Sequence, residues 1–213
     1  MISTNNRKLT SMCGIFGIVA VACYFVGAVV ELPVRDWISL LIFFGFPAFG
    51  IVQWYLLRNI LSANDSSTTG DLALIFAAAG FTLLTAMVMS QMAARLGIAD
   101  LQSQATSETE RSELKMILKG VRFVDFGLDV GWDFFIGTAF ILTGIGTRRV
   151  PGLGLLWGLP LSILGALLIA LNAWTFPWPP NTRGLFDIGP FCASYMLIFS
   201  VRLVLLGRRT RTD

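Results

Sequence analysis

Histidine is absent from this 213-residue chain, and charged residues make up only 14% of it. The absence of histidine excludes His-ligated zinc and haem sites and histidine general bases. The three cysteines, Cys13, Cys23 and Cys192, stand far apart and form no CxxC pair. The sequence therefore indicates no metal site, redox motif or cofactor, and we expect buried free thiols.

Low charge is matched by high hydrophobicity, because 55% of the residues are hydrophobic and the mean hydropathy is +0.72. Soluble domains carry roughly 25% charged residues. The composition predicts an all-α polytopic membrane protein that forms one domain. A transmembrane helix needs about 20 apolar residues, and six runs are long enough. The predicted spans cover about 12–30, 37–57, 72–92, 127–146, 153–174 and 186–206.

The longest polar stretch, residues 93–120, precedes the fourth span. Within it, Ser107 and Glu110 have the spacing of a helix-starting capping box. Apolar residues then recur at helical spacing, which predicts an amphipathic helix over about 108–121. This helix lies on the membrane surface or extends the fourth span, and anionic lipid is the more specific partner. The basic residues that would contact anionic lipid are Arg111, Lys115 and Lys119.

Basic residues also suggest the orientation in the membrane. The two short loops on one side hold only Arg35 and Arg183, whereas the opposite side holds Arg148, Arg149 and the basic tail. We therefore expect both termini in the cytoplasm and the protein in the plasma membrane. The amphipathic helix argues for the reverse, because basic surface helices usually face the anionic cytoplasmic leaflet. The net charge of +3 is too small and scattered for a nucleic-acid surface, so the expected partner is the lipid bilayer.

Three aspartates, Asp125, Asp129 and Asp133, recur every four residues at the start of the fourth span. This spacing puts them on one slowly turning helical face. An Asp at the centre of a membrane helix costs roughly 2.5–3.5 kcal/mol on insertion scales. We therefore expect Asp129 and Asp133 to face the bundle interior. Asp125 is expected at the interface, in an ion pair with Arg122 three residues earlier.

Polar residues of other helices fall at a similar depth, in one half of the predicted bundle. They come from separate parts of the sequence, which predicts a polar pocket rather than a stripe on one helix. Tyr24 of the first span lies at that depth too. The pattern assigns neither a catalytic nor a metal-ligating role. The candidate residues for binding an ion or ligand are Asp129, Asp133, Gln91, Asn172, Asp187 and Tyr195.

Transport or conduction of a cation, a proton or a small cationic solute fits this pocket best, because ionisable groups within a membrane usually serve function. A second pattern supports it. The second helix of each half contains Gly-x-Pro, at Gly45–Pro47 and at Gly158–Pro160. Corresponding breaks in two halves are typical of transporters built as a 3+3 inverted repeat.

Two other classes of function remain open. In a non-catalytic subunit, sensor or scaffold, the aspartates would form a structural polar cluster. Gly127-x-x-x-Gly131 and Gly154-x-x-x-Gly158 would then bring helices together, including those of a homo-oligomer. In an enzyme, the repeated Asp-x-x-x-Asp is similar to the Mg²⁺-binding aspartates of lipid-head-group transferases and membrane prenyltransferases. The flanking motifs and the second acidic motif of those families are absent, so the sequence disfavours an enzyme.

Overall fold

The computed structural model describes residues 4–29 and 37–208, and this part of the chain is almost entirely helical, without strands. Six of its helices are long and apolar enough to cross a membrane. They confirm the prediction of an all-α polytopic membrane protein. The helices are α1 (Thr4–Val29), α2 (Trp37–Ser62), α3 (Ser67–Gln104), α4 (Glu108–Thr147), α5 (Gly154–Thr175) and α6 (Gly189–Arg208). A short 3₁₀ turn, Pro180–Arg183, lies between α5 and α6.

The helices form a ring, because each packs on the next in the chain and α6 returns to pack along α1. The contact between α5 and α6 is the narrowest of the ring. Gly207 of α6 lies against Ser11 and the carbonyl of Arg7 in α1. The start of α1 and the end of α6 are therefore at the same end of the bundle, which we call the termini end. The opposite end, where α3 leads into α4, is the hairpin end.

Large apolar side chains fill the ring towards the termini end. Leu57, Leu161 and Phe199, from three different helices, are completely buried there. The ring of Trp54 stacks on that of Phe140, with 6.1 Å between their centroids. Burying apolar area is worth about 25 cal/mol per Å² in water, but within a bilayer close packing contributes more of the stability. This half of the bundle forms its packed core.

Glycines bring the backbones of α4 and α5 together. A Cβ atom on Gly165 would collide with the carbonyl oxygen of Gly137, and one on Gly158 would collide with that of Gly144. Among the glycines of the predicted Gly-x-x-x-Gly motifs, Gly158 thus packs against another helix of the same chain, whereas Gly127 has open space around it. Contact between copies through such glycines stays a prediction.

Helices α3 and α4 extend past the other helices as a hairpin with its turn at residues 105–107. The amphipathic segment is the first part of α4 rather than a separate helix. No proline interrupts α4 between this segment and the fourth span. The capping box is confirmed. The Ser107 hydroxyl accepts a hydrogen bond from the Glu110 backbone N–H at 3.2 Å, and the Glu110 carboxylate accepts one from the Ser107 N–H at 3.2 Å.

The two Gly-x-Pro motifs do not break their helices. Pro47 lies inside α2 and Pro160 inside α5, and both helices run through them. Neighbouring helices allow a membrane helix to tolerate the lost backbone hydrogen bond. The expected half-helices at the two motifs are therefore absent from these described helices, and the 3+3 inverted repeat stays a prediction.

Candidate functional site

At the hairpin end, the ring of helices encloses a cavity of about 220 Å³, lined by α1 to α4 and the segment that starts α6. Among the described residues, three carboxylates line it, those of Asp129, Asp133 and Asp187, and we call it the acidic cavity. One water needs only about 10–15 Å³ of such space. None of the described lining residues is Lys or Arg, so the cavity attracts positive charge.

Helix α4 supplies the polar face of the acidic cavity. Asp129, Trp132 and Asp133 are spaced i, i+3 and i+4, which puts them side by side on one face. The carboxylates become less accessible with depth. Asp187 is exposed, Asp129 is half-buried and Asp133 is only 6% exposed. The cavity therefore leads from a solvent-exposed carboxylate to a buried one.

Asp133 is held by Asn172 of α5. The Asn172 side-chain amide donates a hydrogen bond to Oδ2 of Asp133 at 2.8 Å and a second to the Leu168 carbonyl at 2.9 Å. Because a carbonyl can only accept, the second bond fixes which end of the amide faces Asp133. The other carboxylate oxygen, Asp133 Oδ1, is buried and has no hydrogen-bond partner in the described part of the chain. Asp125 Oδ1 is in the same state, but of these two aspartates only Asp133 lines the acidic cavity, so its carboxyl group is suited to a ligand or water.

Asp187 and Tyr24 meet near the start of α6. The Asp187 carboxylate accepts a hydrogen bond from the Gly189 N–H at 2.9 Å, which satisfies the first backbone N–H of that helix. A Cβ atom on Gly189 would lie 3.1 Å from Asp187 Oδ1 and 3.9 Å from the Tyr24 hydroxyl. Glycine therefore leaves room for both groups, and Tyr24 lines the same cavity as Asp133 and Asp187.

Aromatic rings cover another wall of the acidic cavity. Tyr24, Phe46 and Trp132 all line it. The Phe46 ring centroid lies 5.2 Å from that of Tyr24 and 6.3 Å from that of Trp132. The Trp132 indole N–H is buried and, among the described residues, has no acceptor. Carboxylates and ring faces thus line the same small space.

A second, axial cavity of about 50 Å³ lies deeper in the ring. Five of the described residues line both this cavity and the acidic cavity, so the two spaces adjoin there: Tyr24, Phe46, Trp132, Asp133 and Gly189. Gln53 also lines the axial cavity, and the side-chain amide of Gln53 donates a buried hydrogen bond to the Ser200 hydroxyl at 2.9 Å. A Cβ atom on Gly17 would collide with both groups. Beyond this bond the packed core of the termini end begins.

Four of the six candidate residues come together: Asp129, Asp133, Asn172 and Asp187. The other two lie elsewhere. Gln91 lines a separate groove between α3 and α4. The Tyr195 hydroxyl donates a hydrogen bond to the Trp157 carbonyl of α5 at 2.9 Å.

Asp125 differs from the prediction of an interfacial ion pair. It is 5% exposed, and its polar neighbours are Ser90 and Arg95 of α3. Within residues 4–29 and 37–208, Arg122 forms no salt bridge with it. The i, i+3 spacing describes one helix, whereas the packing of α3 on α4 decides which side chains meet Asp125.

Trp132 and Phe46, which line the acidic cavity, were not among the site residues predicted from the sequence. The position of Trp132 could have been predicted, because it follows Asp129 by three positions and is adjacent to Asp133. Apart from its place in a Gly-x-Pro motif, no sequence feature indicated that Phe46 lines the cavity. No protein-family model, curated protein or solved structure matches the chain.

Proposed function

We propose that this integral membrane protein transports or conducts a cation, a proton or a small cationic solute, and that the acidic cavity is its binding site. One observation supports this most strongly. The cavity leads from exposed Asp187 to buried Asp133, and Asp133 Oδ1 has no hydrogen-bond partner among the described residues. A buried carboxylate in a membrane is costly unless it is paired or used. A cation would provide the missing interaction.

The proposed path has two parts. Asp187 attracts the cation at the mouth, and Asp129 and Asp133 bind it below. Passage to the termini end then requires the Gln53–Ser200 hydrogen bond to open, since this bond lies between the axial cavity and the packed core. A transporter generally alternates between two states, here one open at the hairpin end and one open at the termini end. In the proposed orientation, the protein spans the plasma membrane and both termini lie in the cytoplasm. The acidic cavity then faces the outside of the cell.

A second candidate is a non-catalytic subunit or scaffold that contacts anionic lipid through the hairpin. The observation in its favour is the exposed apolar surface there, where Met116 is 65% and Ile117 57% exposed beside exposed Lys115 and Lys119. Apolar and basic residues together favour an anionic membrane surface. This candidate fits the reverse orientation, with the hairpin at the cytoplasmic leaflet. The aspartates would then serve only packing.

A flux assay in proteoliposomes separates the two candidates. Wild type is compared with Asp133→Asn and with the matched control Asp125→Asn, which changes an equally buried aspartate of the same helix outside the acidic cavity. We expect cation or proton flux to fall at least tenfold in Asp133→Asn, because about 1.4 kcal/mol of lost binding already gives this factor. The control should stay near wild type. Flux of protons, inorganic cations and small amines no higher than in protein-free liposomes would contradict transport and favour the scaffold. Equal flux above that level in all three proteins would contradict the acidic cavity as the binding site.

A further inference from the structure

We propose that the ligand of the acidic cavity is a small protonated amine, recognised by Asp133 and by the rings of Tyr24, Phe46 and Trp132. This inference rests on the proposed function and narrows its substrate class. Three kinds of observation lead to it: the charge of the cavity, its aromatic wall and the state of one buried oxygen atom.

The three carboxylates of the acidic cavity favour a cation as its ligand. Asp129, Asp133 and Asp187 line one space, and the described lining contains no basic side chain to balance them. Carboxylates that share a low-dielectric site repel one another, and a cation between them removes that repulsion. Among the described residues, however, no group of three or more acidic or cysteine side chains has the geometry to hold a metal ion. The carboxylates are spread along the depth of the cavity instead.

The aromatic wall favours an organic cation over an inorganic one. Cations such as Mg²⁺ and Ca²⁺ are bound by six or more oxygen ligands, whereas much of this cavity is lined by ring and aliphatic carbon. An ammonium group within about 6 Å of a ring centroid is attracted by the ring face, most strongly by Trp. Trp132 lies on the same face of α4 as Asp129 and Asp133, so an ammonium group near these carboxylates also lies near the indole.

The hydrogen-bonding state of Asp133 selects a cation that carries N–H groups. Asn172 already occupies Oδ2, while Oδ1 is buried and lacks a donor among the described residues. An N⁺–H group donating to this oxygen would form a charge-assisted hydrogen bond. A quaternary ammonium ion has no such donor. The cavity, at about 220 Å³, is smaller than the roughly 300–1,000 Å³ of drug-sized ligand sites, so the alkyl part should be short.

A ligand series on the unaltered protein provides the first test. The purified full chain in lipid nanodiscs is titrated by calorimetry with ethylammonium, tetramethylammonium, sodium and potassium chlorides at equal ionic strength, and with neutral ethanol. We expect ethylammonium to bind roughly tenfold or more tightly than sodium or potassium, since only it uses both the ring wall and Oδ1. Tetramethylammonium should be weaker than ethylammonium, and ethanol should not bind. Equal affinity for ethylammonium and sodium would overturn the proposal.

Paired substitutions provide the second test. Trp132→Phe keeps an aromatic ring, whereas Trp132→Leu removes it while keeping the site apolar. We expect Trp132→Leu to weaken ethylammonium binding by roughly 2- to 30-fold, the range of a cation–π contact, and Trp132→Phe to weaken it less. Asp133→Asn should weaken binding by roughly 30-fold or more. Asp125→Asn should bind as wild type does. An unchanged affinity in Trp132→Leu would contradict recognition by the ring.

Flux and binding measured together separate this inference from the proposed function. Selective ethylammonium binding without flux of any cation would support the amine site and contradict transport. Flux of protons or sodium that depends on Asp133, without selective amine binding, would support transport and overturn the amine site.

Discussion

Asp133 and Asn172 illustrate how a charged group is kept inside this membrane bundle. Asn172 is 1% exposed and uses both amide hydrogens, one on Asp133 and one on its own helix. An isolated carboxylate at membrane depth would cost several kcal/mol, and one hydrogen bond to a charged group returns about 1.5–3 kcal/mol. The hydrogen bond from Asn172 therefore offsets much of the cost. The expectation of a cation rests on the other carboxylate oxygen, Oδ1, which has no hydrogen-bond partner among the described residues.

The glycines between α4 and α5 provide a test at the scale of single residues. In Gly165→Ala, the new methyl group collides with the Gly137 carbonyl and approaches the Phe140 side chain to 2.9 Å. We expect a loss of about 1–3 kcal/mol in the free energy of unfolding. Reversible denaturant unfolding in one detergent measures it.

Gly127→Ala is the matched control, because no atom lies within 4 Å of the added methyl group. Alanine in a helix interior is more favourable than glycine by about 0.8–1.0 kcal/mol, so this variant should be as stable as wild type or more stable. Similar stability of Gly165→Ala and Gly127→Ala would show that α4 and α5 do not approach as closely as described.

The neighbours of single side chains were less predictable from the sequence than their depth. The spacing and the cost of burial correctly indicated that Asp133 faces the interior. The predicted partner of Asp125 was wrong. The sequence could indicate only Arg122, which is on the same helix, whereas the polar neighbours in the structure, Ser90 and Arg95, belong to α3. Residues paired across helices, such as Gln53 and Ser200, leave no periodic pattern along the chain.

At the scale of elements, the hairpin of α3 and α4 separates this chain from a plain six-helix bundle. Helix α4 is 40 residues long, or about 60 Å at 1.5 Å per residue, while a bilayer core is about 30 Å thick. Its first half therefore lies outside the bilayer core. The polar residues and the capping-box spacing indicated the first half of α4 in the sequence. Hydropathy located only the apolar halves of α3 and α4. The continuity of the two halves could not be read from hydropathy alone.

The capping box at the hairpin turn yields a prediction for this element. Ser107→Ala removes the acceptor of the Glu110 N–H and should cost about 1 kcal/mol of local helix stability. Hydrogen exchange measured by mass spectrometry should become faster in the first turns of α4 and remain unchanged in the spans. Ser112→Ala, an exposed position beyond the box, is the control. Equally slow exchange in both variants would show that other contacts hold the turn.

At the scale of the whole molecule, the ring is packed at one end and hollow at the other. All six helices line the axial cavity, and the acidic cavity opens above it, while the termini end is filled by large apolar side chains. Arg202, at the termini end, donates to the Gly152 carbonyl at 2.8 Å and lies over the Trp157 ring. A gathering of polar residues in one half could be predicted from their depth. Which of them meet depends on the rotation of each helix about its axis, so Gln91 and Tyr195 were grouped with residues of the acidic cavity, although neither is among its described lining residues.

Both proposals require an acidic cavity that is open to water at one end, and native Cys23 tests this directly. Cys23 is a half-buried residue of the cavity lining, whereas Cys13 is 0% exposed. The full chain in sealed proteoliposomes is treated with a cationic or an anionic membrane-impermeant methanethiosulfonate reagent, and mass spectrometry measures the modification rate at each cysteine. We expect Cys23 to react from one side only and Cys13 not to react. Relative to a free thiol, Cys23 should favour the cationic reagent by roughly tenfold or more at low salt, and less so in Asp129→Asn. An unreactive Cys23, or one without charge preference, would contradict an open acidic cavity.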